Sequence, residues 1–273
     1  MSPSQLSDLL LVFAACGYAA ATVLFAAHLY RHGGMPKAAW TARRVMACGA
    51  LLHAAHIAHH AATFRECPVK TINTGVSFGA FFAVAIYLAL RKVWKLQGIG
   101  IFVAPVALMF LLAGRFLAMP SVPPGVRTNL LPLHIAVNVL GDAFFLLASG
   151  AAALYLFQEH QLKIKKAVSF GKLPPLVSLD RANHGFLLTG FLLMTVGVVT
   201  GTFWVSRLHF GTATEILRLA FGYLSWLVFC GVLLLRSTLG WRGRRAAWGT
   251  LAGFLFALVV VSLYLRGSEI VSQ

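Results

Sequence analysis

Residues 185–204 read GFLLTGFLLMTVGVVTGTFW, twenty consecutive positions without a charged side chain. A helix needs about 20 predominantly apolar residues to cross the hydrocarbon core of a bilayer. The apolar character is continuous and does not alternate, which favours a membrane helix over a strand of a transmembrane barrel. This stretch therefore predicts an all-α integral membrane protein.

The composition of the whole chain agrees with this interpretation. Of its 273 residues, 59% are hydrophobic and only 11% are charged. Soluble proteins carry about 25% charged residues, so a soluble enzyme and a disordered chain are both excluded. The apolar runs predict a polytopic bundle of about eight transmembrane helices that forms one integral-membrane domain over residues 1–273. The predicted spans cover residues 6–30, 41–64, 71–90, 98–117, 129–157, 181–205, 213–235 and 246–265.

Basic residues predict the orientation of the bundle. The chain has 23 Lys and Arg against 7 Asp and Glu, a formal net charge of +16. These charges are scattered over short loops and form no surface that could read a nucleic acid. Sixteen of the 23 lie in the loops that follow spans 1, 3, 5 and 7, counting the adjacent span ends. The positive-inside rule therefore places these loops in the cytoplasm and both termini outside.

Histidines are the polar feature of the predicted spans. The chain has 10 of them, and ionisable side chains in hydrocarbon usually face the bundle interior and serve a site. In span 2, His53, His56 and His60 lie within about 60° of one another around a helix, which predicts one stripe running toward the outer side. His134 lies near the outer start of span 5, and His184 lies near the cytoplasmic start of span 6.

Two interpretations of these histidines stay open on spacing alone. Neutral imidazole is a good ligand for iron, and histidine is a common axial ligand of haem. Histidines in membrane helices also form hydrogen bonds between helices without any cofactor. The spacing does not decide between these roles for His53, His134 and His184, whereas His59 points away from the stripe and is expected to be structural.

Two charged residues add to the candidate site. Asp142 is the one acid well inside a predicted span, and a carboxylate there is expected to have a partner or to be neutral. It is expected either to orient a histidine ligand such as His134 or to form a structural hydrogen bond. Arg218, near the outer start of span 7, is a candidate charge partner for a haem propionate, and the alternative is that its side chain extends to the interface.

Sequence motifs for covalent catalysis are missing. The four cysteines include no CxxC pair, and Cys67 is the one clear loop thiol. The chain also contains no GxSxG and no HExxH motif, so no autonomous catalytic activity is expected. Gly197 and Gly201 form a GxxxG pair, which predicts that another helix approaches span 6 closely.

Several stretches carry a family resemblance. Leu179-Asp180 and residues 190–204, which read GFLLMTVGVVTGTFW, are similar to a segment of the form LD…GFPLLTIGIVTGAIW. Residues 240–247 read GWRGRRAA, residues 225–227 read SWL, and His134-Ile135 opens a long span. Together these stretches resemble the CcsA/HemX-like family of cytochrome c assembly membrane proteins, over about residues 50–265. The eight predicted spans resemble its shorter, HemX-like branch.

The resemblance implies a function. Such proteins hold haem between spans in the bacterial inner membrane and present it on the outer face for attachment to apocytochrome c. It implies b-type haem as the cofactor, with protein partners in cytochrome c maturation or in another membrane complex. By resemblance, His134 matches a haem-ligand position and His53 and His184 are further candidate ligands, with His60 and His56 as outer alternatives.

Two departures from the family pattern limit this expectation. The tryptophan-rich segment of the form WG.YW.WDPKE belongs between spans 6 and 7, yet residues 207–223 contain Glu215 and no tryptophan. Span 8 also ends without a histidine. These departures favour haem handling over covalent haem attachment. The alternative is a cofactor-free structural or regulatory membrane subunit that retains the fold, and a transporter is disfavoured because no internal repeat is visible.

Overall fold

The computed structural model describes residues 2–30, 36–64, 72–92, 98–116, 130–164, 174–205 and 213–266. This described part of the chain consists of eight α-helices and contains no strand. Every predicted span is confirmed as a helix, and the all-α class is confirmed with it. The helices are α1 (Pro3–Tyr30), α2 (Pro36–Phe64), α3 (Ile72–Leu90), α4 (Gly100–Phe116), α5 (Leu131–Lys163), α6 (Leu176–Val205), α7 (Ala213–Thr238) and α8 (Arg244–Arg266).

Five of these helices, α1, α5, α6, α7 and α8, are long and apolar enough over their described residues to cross a membrane. The helices α3 and α4 are apolar but shorter. The helix α2 is long, but its four histidines lower its hydropathy. The fold is therefore a polytopic helical membrane bundle.

The helix ends differ from the predicted span ends. The helix α5 continues to Lys163, past the predicted end at residue 157, and α6 begins at Leu176 and not at residue 181. Polar residues propagate a helix beyond the apolar run because helical hydrogen bonds need no apolar side chain. Pro175 starts α6, and its carbonyl accepts the N–H groups of Ser178 and Leu179. Cys67 and residues 207–212 lie outside the described residues.

Consecutive helices pack as antiparallel pairs, α1 with α2, α3 with α4, α5 with α6, and α7 with α8. The helix α5 also packs against α3 and α8, and therefore lies at the centre of the bundle. Its buried Phe145 stacks on the buried Phe229 of α7, with ring centroids 4.0 Å apart.

Small residues bring α1 and α2 together. A Cβ atom added at Gly17 would lie 2.8 Å from the Cα of Gly49, which is closer than real side chains come. Lipid tails are as apolar as leucine, so helices in a bilayer associate through such packing and through hydrogen bonds. The crossing places Tyr18 of α1 beside the middle of α2.

The helices α5 and α6 approach each other in the same way. A Cβ at Gly190 would lie 2.8 Å from a ring carbon of Phe145, and a Cβ at Gly197 would collide with the side-chain amide of Asn138. A Cβ at Gly201 would lie 3.1 Å from the ring of His134. The predicted close approach at the GxxxG pair is therefore confirmed, and its partner is α5.

The α1–α2 crossing can be tested with valine substitutions. Gly17→Val is expected to destabilise the protein because the added atoms meet the backbone of Gly49, and overpacking costs about 1–3 kcal/mol. Gly231→Val is the matched control, since nothing lies within 4 Å of a Cβ added at Gly231 and helix propensity changes equally. In detergent, the melting temperature of Gly17→Val should lie roughly 4 °C or more below that of the control. Equal melting temperatures would contradict the close crossing.

Candidate functional site

His53 is fully buried in the middle of α2 and joins three helices. Its Nδ1 atom lies 3.2 Å from the hydroxyl of Tyr18 on α1, and its Nε2 atom lies 2.9 Å from the hydroxyl of Ser77 on α3. Both ring nitrogens are therefore engaged in hydrogen bonds. An iron atom bound at Nε2 of His53 would replace the hydrogen bond to Ser77.

The predicted histidine stripe on α2 is confirmed. The ring centroids of His53 and His56 are 6.4 Å apart, and those of His56 and His60 are 6.1 Å apart. The three rings follow one another along one face of the helix. His59 lies off this stripe, and its buried Nδ1 atom has no hydrogen-bond partner among the described residues.

Hydrogen bonds determine which nitrogen of His56 carries the proton. Its Nδ1 atom lies 2.9 Å from the backbone carbonyl oxygen of Ser7 on α1. A carbonyl oxygen only accepts, so Nδ1 donates and the lone pair of the neutral ring is on Nε2. A donated Nδ1–H bond of this kind is what orients histidines that bind a metal through Nε2.

His134 lies between α5 and α6 with the same proton arrangement. Its Nδ1 atom is 2.9 Å from the hydroxyl oxygen of Thr200, which itself lies 2.9 Å from the carbonyl of Val196 and 3.0 Å from that of Gly197. Because the Thr200 hydroxyl donates to a carbonyl, it accepts from His134 Nδ1. The amide nitrogen of Asn138 donates to the His134 carbonyl at 2.7 Å and lies 3.3 Å from Nε2.

His184 lies near the other end of α6. Its Nδ1 atom is buried and has no hydrogen-bond partner in the described part of the chain. It lies sixteen residues before Thr200, the partner of His134. That spacing is about 24 Å along the helix, so one iron atom cannot bind both His134 and His184.

The structure therefore does not gather the predicted ligands at one point. His53, His56 and His60 share a face of α2, whereas His134 is bonded to α6 and His184 lies at the opposite end of that helix. Among the described residues, no group of three or more His, Cys, Asp or Glu side chains is placed to hold a metal ion. Haem remains compatible with this arrangement, because its iron needs only one or two protein ligands.

The two charged candidates also lie apart from the histidines. Asp142 lines a cleft between α3, α4, α5 and α8. The structure shows no hydrogen bond between Asp142 and a histidine or another described side chain: Asp142 lies at the cleft, whereas His134 is bonded to α6. Arg218 donates through Nη2 to the carbonyl of Leu263 at 2.8 Å, which ties the start of α7 to the end of α8.

Sequence reasoning missed an ion pair that explains two of the quoted motifs. Both nitrogens of the Arg236 guanidinium donate to the carboxylate of Asp180, at 3.0 and 2.7 Å. The backbone N–H of Gly243 donates to the same carboxylate at 2.8 Å. These three residues form what we call the Asp180 clamp. It joins the start of α6 to the end of α7 and to the loop before α8.

The conformation of the loop explains its glycines. Gly240 and Gly243 have φ angles of 66° and 61°, a left-handed conformation that glycine adopts without strain. A Cβ at Gly243 would also meet the hydroxyl of Tyr155. In the sequence, the signal for the ion pair between Asp180 and Arg236 was an acidic residue at the start of α6 and an arginine in the last turn of α7.

Removing the charge of Asp180 tests the clamp. The side chains of Arg236 and Asp180 are only 12% and 17% exposed, so Asp180→Asn leaves a largely buried guanidinium without its counterion. A loss of about 3 kcal/mol is expected. Asp8→Asn is the control, because Asp8 pairs with Arg115 at 3.4 Å with both side chains half exposed, and exposed pairs contribute about 0–1 kcal/mol.

The measurement is thermal unfolding of both variants in the same detergent. The melting temperature of Asp180→Asn should fall well below that of Asp8→Asn. Equal melting temperatures would mean that the clamp does not hold the helices together.

Comparisons with known proteins point in one direction. A family model described as "Cytochrome C assembly protein" matches residues 39–267. The chain is 30% identical to the inner membrane protein YpjD of Escherichia coli (strain K12), over 52% of this chain and 51% of that protein. It is 24% identical to the cytochrome c biogenesis protein CcsA of Synechococcus sp. (strain RCC307), over 73% of this chain and 74% of that protein.

A third relative, the cytochrome c biogenesis protein CcsA of Guillardia theta, is 26% identical over 66% of each chain. The match to YpjD spans about half of that protein's length. The matched region of the family model begins after α1 and contains every histidine described above.

Proposed function

The chain belongs to the cytochrome c assembly protein family, and from that membership we propose that it is a haem-handling protein of cytochrome c maturation. It is a multi-pass protein of the bacterial inner membrane, in keeping with its apolar helices and with the inner-membrane location in the name of its relative YpjD. The observation that carries the proposal is His134. Its Nδ1–H group is bonded to Thr200, and its ring lies where Gly201 leaves room for it.

The donor chemistry of the site fits b-type haem. His134 and His56 both hold Nδ1 in a donated hydrogen bond, which leaves Nε2 as the nitrogen with the lone pair. These two residues are the proposed ligands, with His60 as an outer alternative. When bound, haem supplies an iron centre that accepts axial nitrogen ligands and can change oxidation state.

The other predicted ligands take second place. His53 would have to give up its 2.9 Å contact with the Ser77 hydroxyl to bind iron through Nε2, whereas His134 would give up only the longer, 3.3 Å contact of its Nε2 with Asn138. The buried Nδ1 atom of His184 has no partner among the described residues, but His184 lies at a different depth in the membrane from His134. If both His134 and His184 bind haem, they bind separate haems.

Arginines near the proposed site supply charge for the propionates. Arg115 is half exposed and pairs with Asp8 at 3.4 Å, and Asp8 is adjacent to Ser7, the partner of His56. Arg218 already donates to a backbone carbonyl of α8. Arg115 is therefore the better placed of the two to meet a propionate near His56.

Single histidine variants test the proposal. His134→Ala and His56→Ala are each expected to lower the haem content of the purified protein by at least about half, because each removes a proposed iron ligand. His160→Ala is the matched control, since His160 is exposed at the end of α5. Haem per protein is measured by the pyridine haemochrome assay on folded, monodisperse samples. Unchanged haem in folded His134→Ala would remove this residue from the site.

Ser77→Ala separates the structural role of His53 from a ligand role. The substitution removes the hydroxyl partner of Nε2, and a loss of about 1 kcal/mol of stability is expected. Haem content should not change, because the proposed ligands are elsewhere. A haem content above that of the wild type would instead assign His53 to the haem site, because the substitution frees Nε2 to bind iron.

A second candidate function is a cofactor-free structural or regulatory membrane subunit. The observation that favours it is the complete hydrogen bonding of His53 within the bundle. This candidate predicts that the purified chain is colourless and remains so after incubation with haemin.

A further inference from the structure

A cleft on the side of the bundle is lined by residues of α3, α4, α5 and α8. Its walls are apolar, with Phe110 of α4 and Leu258 of α8 among them, and Asp142 is the one charged residue among the described residues that line it. The cleft is open on one side, and its cavity volume is about 60 Å³. That volume suits the end of one side chain.

Asp142 lies in the middle of the membrane. It is eleven residues after Leu131, the first residue of α5, which is about 16 Å along the helix, and the hydrocarbon core is about 30 Å thick. Asp142 is an exposed residue that lines the cleft, and its carboxylate accepts no hydrogen bond from the described side chains. A carboxylate at this depth is costly without a partner, and intramembrane acids normally pair with another group.

We propose that this cleft receives a basic side chain, lysine or arginine, from a transmembrane helix of a partner protein. The charge of Asp142 requires a cation or a strong donor, and the apolar walls suit the aliphatic stem of a lysine or an arginine. Lipid head groups stay at the interface, so a spanning helix is the structure that brings a cation to this depth.

This site is separate from the proposed haem site. None of the described residues that line the cleft is a histidine, and His134 is bonded to α6. The haem content of Asp142→Asn is therefore expected to equal that of the wild type. Failure of one proposal leaves the other standing.

The test uses the full chain in phosphatidylcholine vesicles and a synthetic Leu/Ala-rich helix of about 23 residues. One peptide carries lysine at its centre, and the matched peptide carries leucine there. Binding is followed by energy transfer between a label on the peptide and a label on the protein. The lysine peptide should bind the wild type about tenfold more tightly than the leucine peptide does.

Two variants and one control decide the outcome. Asp142→Asn should abolish the preference for lysine, whereas Asp142→Glu and the control Asp8→Asn should keep it. Equal binding of the two peptides by the wild type would overturn the proposal. Retention of the preference in Asp142→Asn would overturn it as well. If Asp142→Asn fails to fold, the wild-type comparison and Asp142→Glu still decide the matter.

Discussion

The contact between α5 and α6 leaves no room for a Cβ atom at Gly190 or Gly197 unless the facing side chain moves, and the candidate site depends on this contact. Gly190 lies against the ring of Phe145, Gly197 against Asn138, and Gly201 against His134. Only at this separation does Thr200 reach the ring of His134 and determine which nitrogen carries the proton. In lipid, where apolar surface alone does not drive helices together, close packing of this kind determines the chemistry of a histidine.

The Asp180 clamp holds the start of α6, the end opposite to the contact with His134. Asp180 accepts two bonds from Arg236 and one from the loop residue Gly243. The stretches that most resemble the family, residues 190–204 and 240–247, therefore have structural roles in this chain: one packs α6 against α5 and the other closes the clamp. The family likeness in these stretches follows from the architecture, whereas the proposal of haem binding depends on the histidines.

The eight helices could be predicted because each corresponds to an apolar run of about 20 residues, and the stripe on α2 because helical geometry places His53, His56 and His60 on one face. The ends of the helices could not be predicted, since polar residues continue a helix beyond the membrane. Partners such as Tyr18, Ser77 and Thr200 depend on how neighbouring helices are rotated, which no single-span pattern contains. The position of Asp142 also depends on its direction around the helix axis. Asp142 and His134 both lie on α5, but Asp142 lines the cleft beside α3 and α8, whereas His134 is bonded to α6.

The central claim is that histidines of this bundle hold b-type haem. The most direct measurement is the reduced-minus-oxidised absorbance spectrum of the purified wild-type chain, taken before and after incubation with haemin. The account predicts a sharp Soret band, narrow reduced bands and a pyridine haemochrome of the b type at near-stoichiometric haem. A folded chain without a Soret band after incubation with haemin would contradict it.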